Sequence, residues 1–126
     1  MHYRTPLREV RGLGSARAGT RHWWMQRVTA LALIPLVFWF AMALAAWPSV
    51  SQMEFVRWVS RPWNTILLLS FIPAVFYHAV LGIQVIVEDY VHTDWIKIMG
   101  ILAMKLLLAF LALASMFAVL RIAFLG

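Results

Sequence analysis

Three apolar runs, at positions 28–47, 63–87 and 96–125, constrain this chain more than any other feature. Each is near the roughly twenty residues that an α-helix needs to cross a bilayer. Hydrocarbon offers no water to unpaired amides, so runs of this length fold as transmembrane helices that satisfy their own backbone. The expected fold is an all-α membrane protein with three transmembrane helices. Its organisation is a basic tail at 1–27 followed by a three-helix membrane anchor domain at 28–126. With 126 residues and 63% hydrophobic content, the chain cannot clothe a soluble domain in a polar shell. It also has few faces on which to bury polar groups without a partner chain.

The net charge of +6 is unevenly placed. Arg4, Arg8, Arg11, Arg17, Arg21 and Arg27, six of the eleven basic residues, precede the first apolar run. Such an anchored tail suits anionic lipid or an acidic protein surface, and no nucleic-acid partner is expected. Its Arg-rich composition imitates an organellar transit peptide, and residues 43–45 imitate a secretory cleavage site. However, the tail is long for a signal n-region, poor in serine for a transit peptide, and continuous with the HWWMQR segment. It is read as a mature, water-facing N-terminus. Cysteine is absent. That excludes disulfides, thiolate zinc sites and iron–sulfur ligation by this chain, and leaves histidine as its strong haem or soft-metal ligand.

Trp23, Trp24, Trp47, Trp58, Trp63 and Trp95 flank the runs and read as interfacial belt anchors. The arginines of the tail place it in the cytoplasm, which puts the second loop, with Glu88, Asp89 and Asp94, on the same side and the C-terminus opposite. Arg121 snorkels to the far interface in this reading. Lys105 lies deeper, either as another snorkelling lysine or as a counter-ion for a carboxylate or haem propionate. Pro35 and Pro73 fall inside spans, where a kink at Pro73 would help aim a side chain five residues on.

That side chain is His78, at the head of HAVLGIQVIVEDY. At about 100° per residue, Gly82, Val85 and Asp89 lie within about 40° of it, a candidate cofactor face, and Asp89 is roughly 16 Å further along the axis. An intramembrane histidine needs a partner, which a haem iron or another helix can supply. Gly82, one turn on, admits either a flat macrocycle or a close helix. Asp89 and Tyr90 end the span. A phenol can donate to a quinone carbonyl and a neighbouring carboxylate can orient an arginine or relay a proton, although both residue types are also ordinary at helix ends. Arg27, in HWWMQRVTA at 22–30, can hold a haem propionate or a lipid phosphate. No Ser/His/Asp catalytic grouping is apparent, and His92 and Asp94 read as a solvated loop.

With H-x3-G-x6-D-Y at His78, Gly82, Asp89 and Tyr90, and R-x-T-A at 27–30 opening the first of three spans, the chain resembles the smaller hydrophobic membrane anchor of succinate dehydrogenase, respiratory complex II. The S-x-x-H-R signature of the sister anchor is missing. The resemblance implies a bundle shared with that sister, a cytochrome b556-type membrane anchor. It further implies docking to an iron–sulfur subunit and a flavoprotein subunit, which hold the clusters and FAD, in a bacterial inner membrane rather than a mitochondrial one. It assigns His78 as an axial ligand of haem b and of its iron, Arg27 to a propionate, Gly82 to haem packing, and Asp89 and Tyr90 to the ubiquinone site. Electrons from succinate would thereby reach ubiquinone. The alternative is a non-redox three-helix assembly or transporter accessory protein, with neither haem nor quinone.

Overall fold

The computed structural model describes residues 15–47 and 49–126, so most of the basic tail, including Arg4, Arg8 and Arg11, lies outside the described residues. Four helices follow in order: α1 Ser15–Ala45, α2 Gln52–Val59, α3 Pro62–Tyr90 and α4 Asp94–Leu125. Three of them are long and apolar enough to cross a membrane, through Gly19–Ala45, Pro62–Tyr90 and Asp94–Leu125. The all-α membrane fold with three spans is thus what forms.

Helix α1 begins well before its apolar run. Alanine, arginine, methionine and glutamine in SARAGTRHWWMQR are good helix formers, so nothing in that stretch stops the helix at the membrane boundary. Its 31 residues extend about 46 Å, more than the roughly 30 Å of hydrocarbon, so its charged first turns project beyond the core. Pro35 and Pro73 lie inside continuous helices.

Helix α2 occupies the connection between the first two spans. Ser51 and Glu54 form a reciprocal cap, in which Glu54 N–H donates to Ser51 Oγ at 3.3 Å and Ser51 N–H donates to Glu54 Oε2 at 2.9 Å. The backbone hydrogen bond from Ser51, with its hydroxyl second, holds the Glu54 carboxyl below its ordinary value. Pro62 at the start of α3 suits that helix, since its missing N–H would have lacked a helical partner there anyway. Val59 is sealed beneath α2, Asn64 Nδ2 donates to Trp58 O, Thr65 Oγ1 to Val59 O, and Ser60 Oγ to Ile122 O. Trp58 stacks on Trp39 at 5.5 Å and meets Trp47 edge-on at 4.8 Å. These three tryptophans therefore cement the end of the bundle as well as marking an interface.

The spans are antiparallel neighbours. Thr29 meets His78 while Phe40 meets Phe71, and Ser60 meets Ile122. Helix α3 is the central span: the backbones of α1 and α4 both approach it and, among the described residues, do not closely approach one another, although side chains of all three, Phe40, Leu68 and Ala118 among them, line one cavity. Two spans packed on one leave most apolar side chains outward. Leu68 and Leu81 of α3 and Val59 of α2 are the buried hydrophobic residues among those described.

Candidate functional site

Among the described residues, the α1/α3 seam carries one buried polar residue, Thr29, at 8% exposure. Its hydroxyl lies 2.8 Å from Met25 O and 3.1 Å from Gln26 O, the back-bonded arrangement usual for threonine in a helix. The same Oγ1 stands 3.0 Å from Nδ1 of His78 on α3. Helix-to-helix hydrogen bonding of His78, expected as one of its two readings, is therefore present. It engages one ring nitrogen. Nε2 has no hydrogen-bond partner among the described residues, so the histidine retains a coordinating atom.

Gly82 follows one turn later, half-buried, and a Cβ placed there would meet nothing within 4 Å. The glycine is not required by close packing inside this chain; the space in front of it is open to an outside group. His78 and Gly82 together form a face that a flat ligand can approach. That is the donor set and clearance that a haem needs, so these residues fit one.

Asp89 lies on the same stripe at the end of α3, exposed, and Tyr90 beside it is 79% exposed. Neither has a hydrogen bond within the described residues, so both side chains are free to engage something outside the chain. Gln84 Nε2 donates to Glu88 Oε1 at 2.8 Å, which occupies the adjacent carboxylate and leaves that of Asp89 open. Arg27 is two residues before Thr29, about 200° around α1. It is exposed and its guanidinium lies 5.3 Å over the Trp23 ring, so the structure does not bring it to His78 within this chain. Lys105 borders a cavity of about 310 Å³ between α3 and α4 with Pro73, Tyr77 and Val80, a groove that His78 does not line.

Two residues of the α1/α3 seam escape a reading of the sequence. Thr29 sits inside the R-x-T-A segment, where the arginine is the conspicuous residue, and its value depends on a register that only packing sets. His22 lies seven residues before Thr29 and hence on nearly the same face of α1. Its Nε2 is buried within this chain and has no hydrogen-bond partner among the described residues, a costly state for a polar atom. Among the described residues no three His, Cys, Asp or Glu side chains gather as a metal site, so a metal held at His78 needs ligands from elsewhere.

Comparison with known proteins gives a concordant result. The succinate dehydrogenase/fumarate reductase transmembrane subunit family matches residues 1–113. The succinate dehydrogenase hydrophobic membrane anchor subunit of Rickettsia bellii is 34% identical over 105 residues, covering 82% of this chain and 83% of its own. That of Paracoccus denitrificans is 32% identical over 90 residues, 71% of this chain and 70% of its own. The succinate dehydrogenase membrane anchor subunit of Reclinomonas americana is 29% identical over 94 residues, 72% and 78% respectively. No solved structure gives a significant match.

Proposed function

This chain belongs to the succinate dehydrogenase/fumarate reductase transmembrane subunit family, and on that premise we propose that its α1/α3 face gives a haem b one axial ligand and that the end of α3 forms part of a ubiquinone-reduction site. As a multi-pass membrane anchor subunit of succinate dehydrogenase, it is part of a complex II oxidoreductase. The observation that carries the finer reading is His78. It is a half-buried imidazole with Nδ1 tied to Thr29 and Nε2 unengaged, one turn from a glycine with open space in front of it.

Haem b, when bound, would supply a one-electron redox centre within the membrane. His78 Nε2 would hold its iron, with a second histidine coming from the cytochrome b556-type sister anchor. Gly82 gives clearance to the macrocycle. Arg27 would hold a propionate in a bidentate contact once its guanidinium left the Trp23 ring. Tyr90 donates its hydroxyl to a quinone carbonyl, and Asp89 orients an arginine of a partner chain or passes a proton. The outward apolar faces support completion of the bundle by that second anchor. The flavoprotein and iron–sulfur subunits, with FAD and the clusters, dock on the side of Tyr90. The bacterial sources of the Rickettsia and Paracoccus relatives, together with the basic tail, favour a bacterial cytoplasmic membrane with the N-terminus inside.

The test is the absorption spectrum of the purified complex containing this chain. A dithionite-reduced b-type haem is expected, and His78→Ala should lose two-histidine low-spin ligation because the iron forfeits one strong-field imidazole. A low-spin spectrum unchanged in the variant would return His78 to helix packing.

A further inference from the structure

We propose that Thr29 is the positioning residue of the haem histidine: its hydroxyl oxygen accepts the Nδ1 hydrogen of His78, fixing the tautomer that presents the Nε2 lone pair and the rotation of the ring about it. The inference rests on the haem reading of His78 and names a residue of that site outside the resemblance's assignments.

The argument is one of hydrogen counting. Thr29 Oγ1 has one hydrogen and three neighbours: Met25 O at 2.8 Å, Gln26 O at 3.1 Å and His78 Nδ1 at 3.0 Å. The two carbonyls can only accept, whereas Nδ1 either donates or accepts. If the hydroxyl hydrogen goes to the carbonyls and Nδ1–H donates to Oγ1, every close contact is satisfied. If instead the hydroxyl donates to Nδ1, both carbonyl contacts lose their hydrogen, and the ring hydrogen moves to Nε2, which has no acceptor among the described residues. An unpaired donor in an apolar span costs on the order of a few kcal/mol. The first arrangement prevails, and it is the one in which Nε2 carries the lone pair that iron needs.

The same bond restrains the ring. His78 is on α3 and Thr29 on α1, so the contact couples ligand orientation to the packing of two spans. Thr29 is itself held by two carbonyls of its own helix, at 8% exposure, which leaves it little freedom. A hydrogen bond from the remote nitrogen of a ligating imidazole raises its basicity and stabilises the oxidised metal, and loss of such a bond commonly lowers affinity for the bound group by about 10- to 100-fold. Thr29 therefore sets both the retention of haem and its potential.

The experiment uses the intact complex carrying Thr29→Val, which keeps the shape and removes the acceptor, beside Thr29→Ser, which keeps the hydroxyl. Three readouts are taken: the haem midpoint potential, the electron paramagnetic resonance g-values of the oxidised low-spin iron, and the rate of haem loss to excess apomyoglobin. Thr29→Val should retain a low-spin haem with a raised potential, altered g-values and about 10- to 100-fold weaker retention. Thr29→Ser should restore all three towards the parent. If Thr29→Val does not assemble, Thr29→Ala removes the same oxygen without adding a methyl group to a polar contact, and the same readouts apply. Variants lacking the hydroxyl that match the parent in all three, while His78→Ala loses low-spin ligation, would overturn the role of Thr29 and leave the haem reading standing. A His78→Ala complex that keeps its low-spin spectrum would overturn both.

Discussion

Replacing Tyr90 with phenylalanine removes one oxygen from a side chain that the fold does not use. The ring is 79% exposed in this chain and its hydroxyl has no hydrogen bond among the described residues, so folding and membrane insertion should be unaffected. Any effect must come through a group outside the chain. If that group is a quinone carbonyl, the lost bond is worth about 0.5–1.5 kcal/mol, and the corresponding rate falls by about 2- to 12-fold. Succinate–ubiquinone reductase activity in membranes should fall by this factor, while succinate oxidation with a soluble dye, which bypasses the membrane site, should keep its parental rate. The ratio of the two activities cancels differences in expression. Parental rates in both assays would refute the reasoning and make Tyr90 an ordinary interfacial tyrosine. Equal loss of both activities would place the damage in assembly.

Asp89→Asn should lower quinone reductase activity several-fold, with a deficit that changes with pH if the carboxylate passes protons and stays constant if it orients an arginine; pH profiles of the two activities distinguish these outcomes. A tag on the N-terminus should resist protease in intact spheroplasts and be cut after lysis, whereas cleavage in intact cells would invert the topology and put Tyr90 on the wrong side. In the reciprocal cap of α2 the Glu54 carboxyl is held below its ordinary value of 4.5, so its stabilisation is fully present above that pH and is lost as pH falls through the lowered value. Hydrogen exchange of the α2 amides, corrected for intrinsic rates, should accelerate on acidification in the parent, and Ser51→Ala should already exchange faster at neutral pH. Equal protection in both proteins would remove the cap from the account.

The three spans are legible in the sequence because their cause is local: length and apolarity decide them before any tertiary contact forms. Helix α2 is equally local, yet it escapes a reading by apolar runs. The Ser51-x-x-Glu54 cap, with Val56 and Val59 following at helical spacing, is a helix-start signal, but two prolines and two arginines make the stretch look like a plain loop. The early start of α1 is obscured in the same way, because charge suggests an end to a helix that good helix formers continue into water. His78 stands out as a polar residue in an apolar span, and its face with Gly82 and Asp89 follows from the 3.6-residue period alone. Thr29 cannot be paired with it from sequence, since the pair depends on how two antiparallel helices slide past one another. Arg27 illustrates the opposite error of emphasis: its position in the motif is clear, yet two residues' rotation sets it on a different side of α1 from Thr29.

The backbone of α1 packs closely on that of α3 and, among the described residues, not on that of α4. The hairpin of α1 and α3 is therefore complete as soon as α3 has left the ribosome and entered the bilayer, and the contact between Thr29 and His78 is available before α4 is synthesised. A chain stopped after Tyr90 should already show that contact, for example as a crosslink between cysteines placed at Thr29 and His78. Synthesis order then makes the last span a buttress added to a finished α1/α3 seam, and on the haem reading of His78 loading of that group would wait on the second anchor rather than on the rest of this chain.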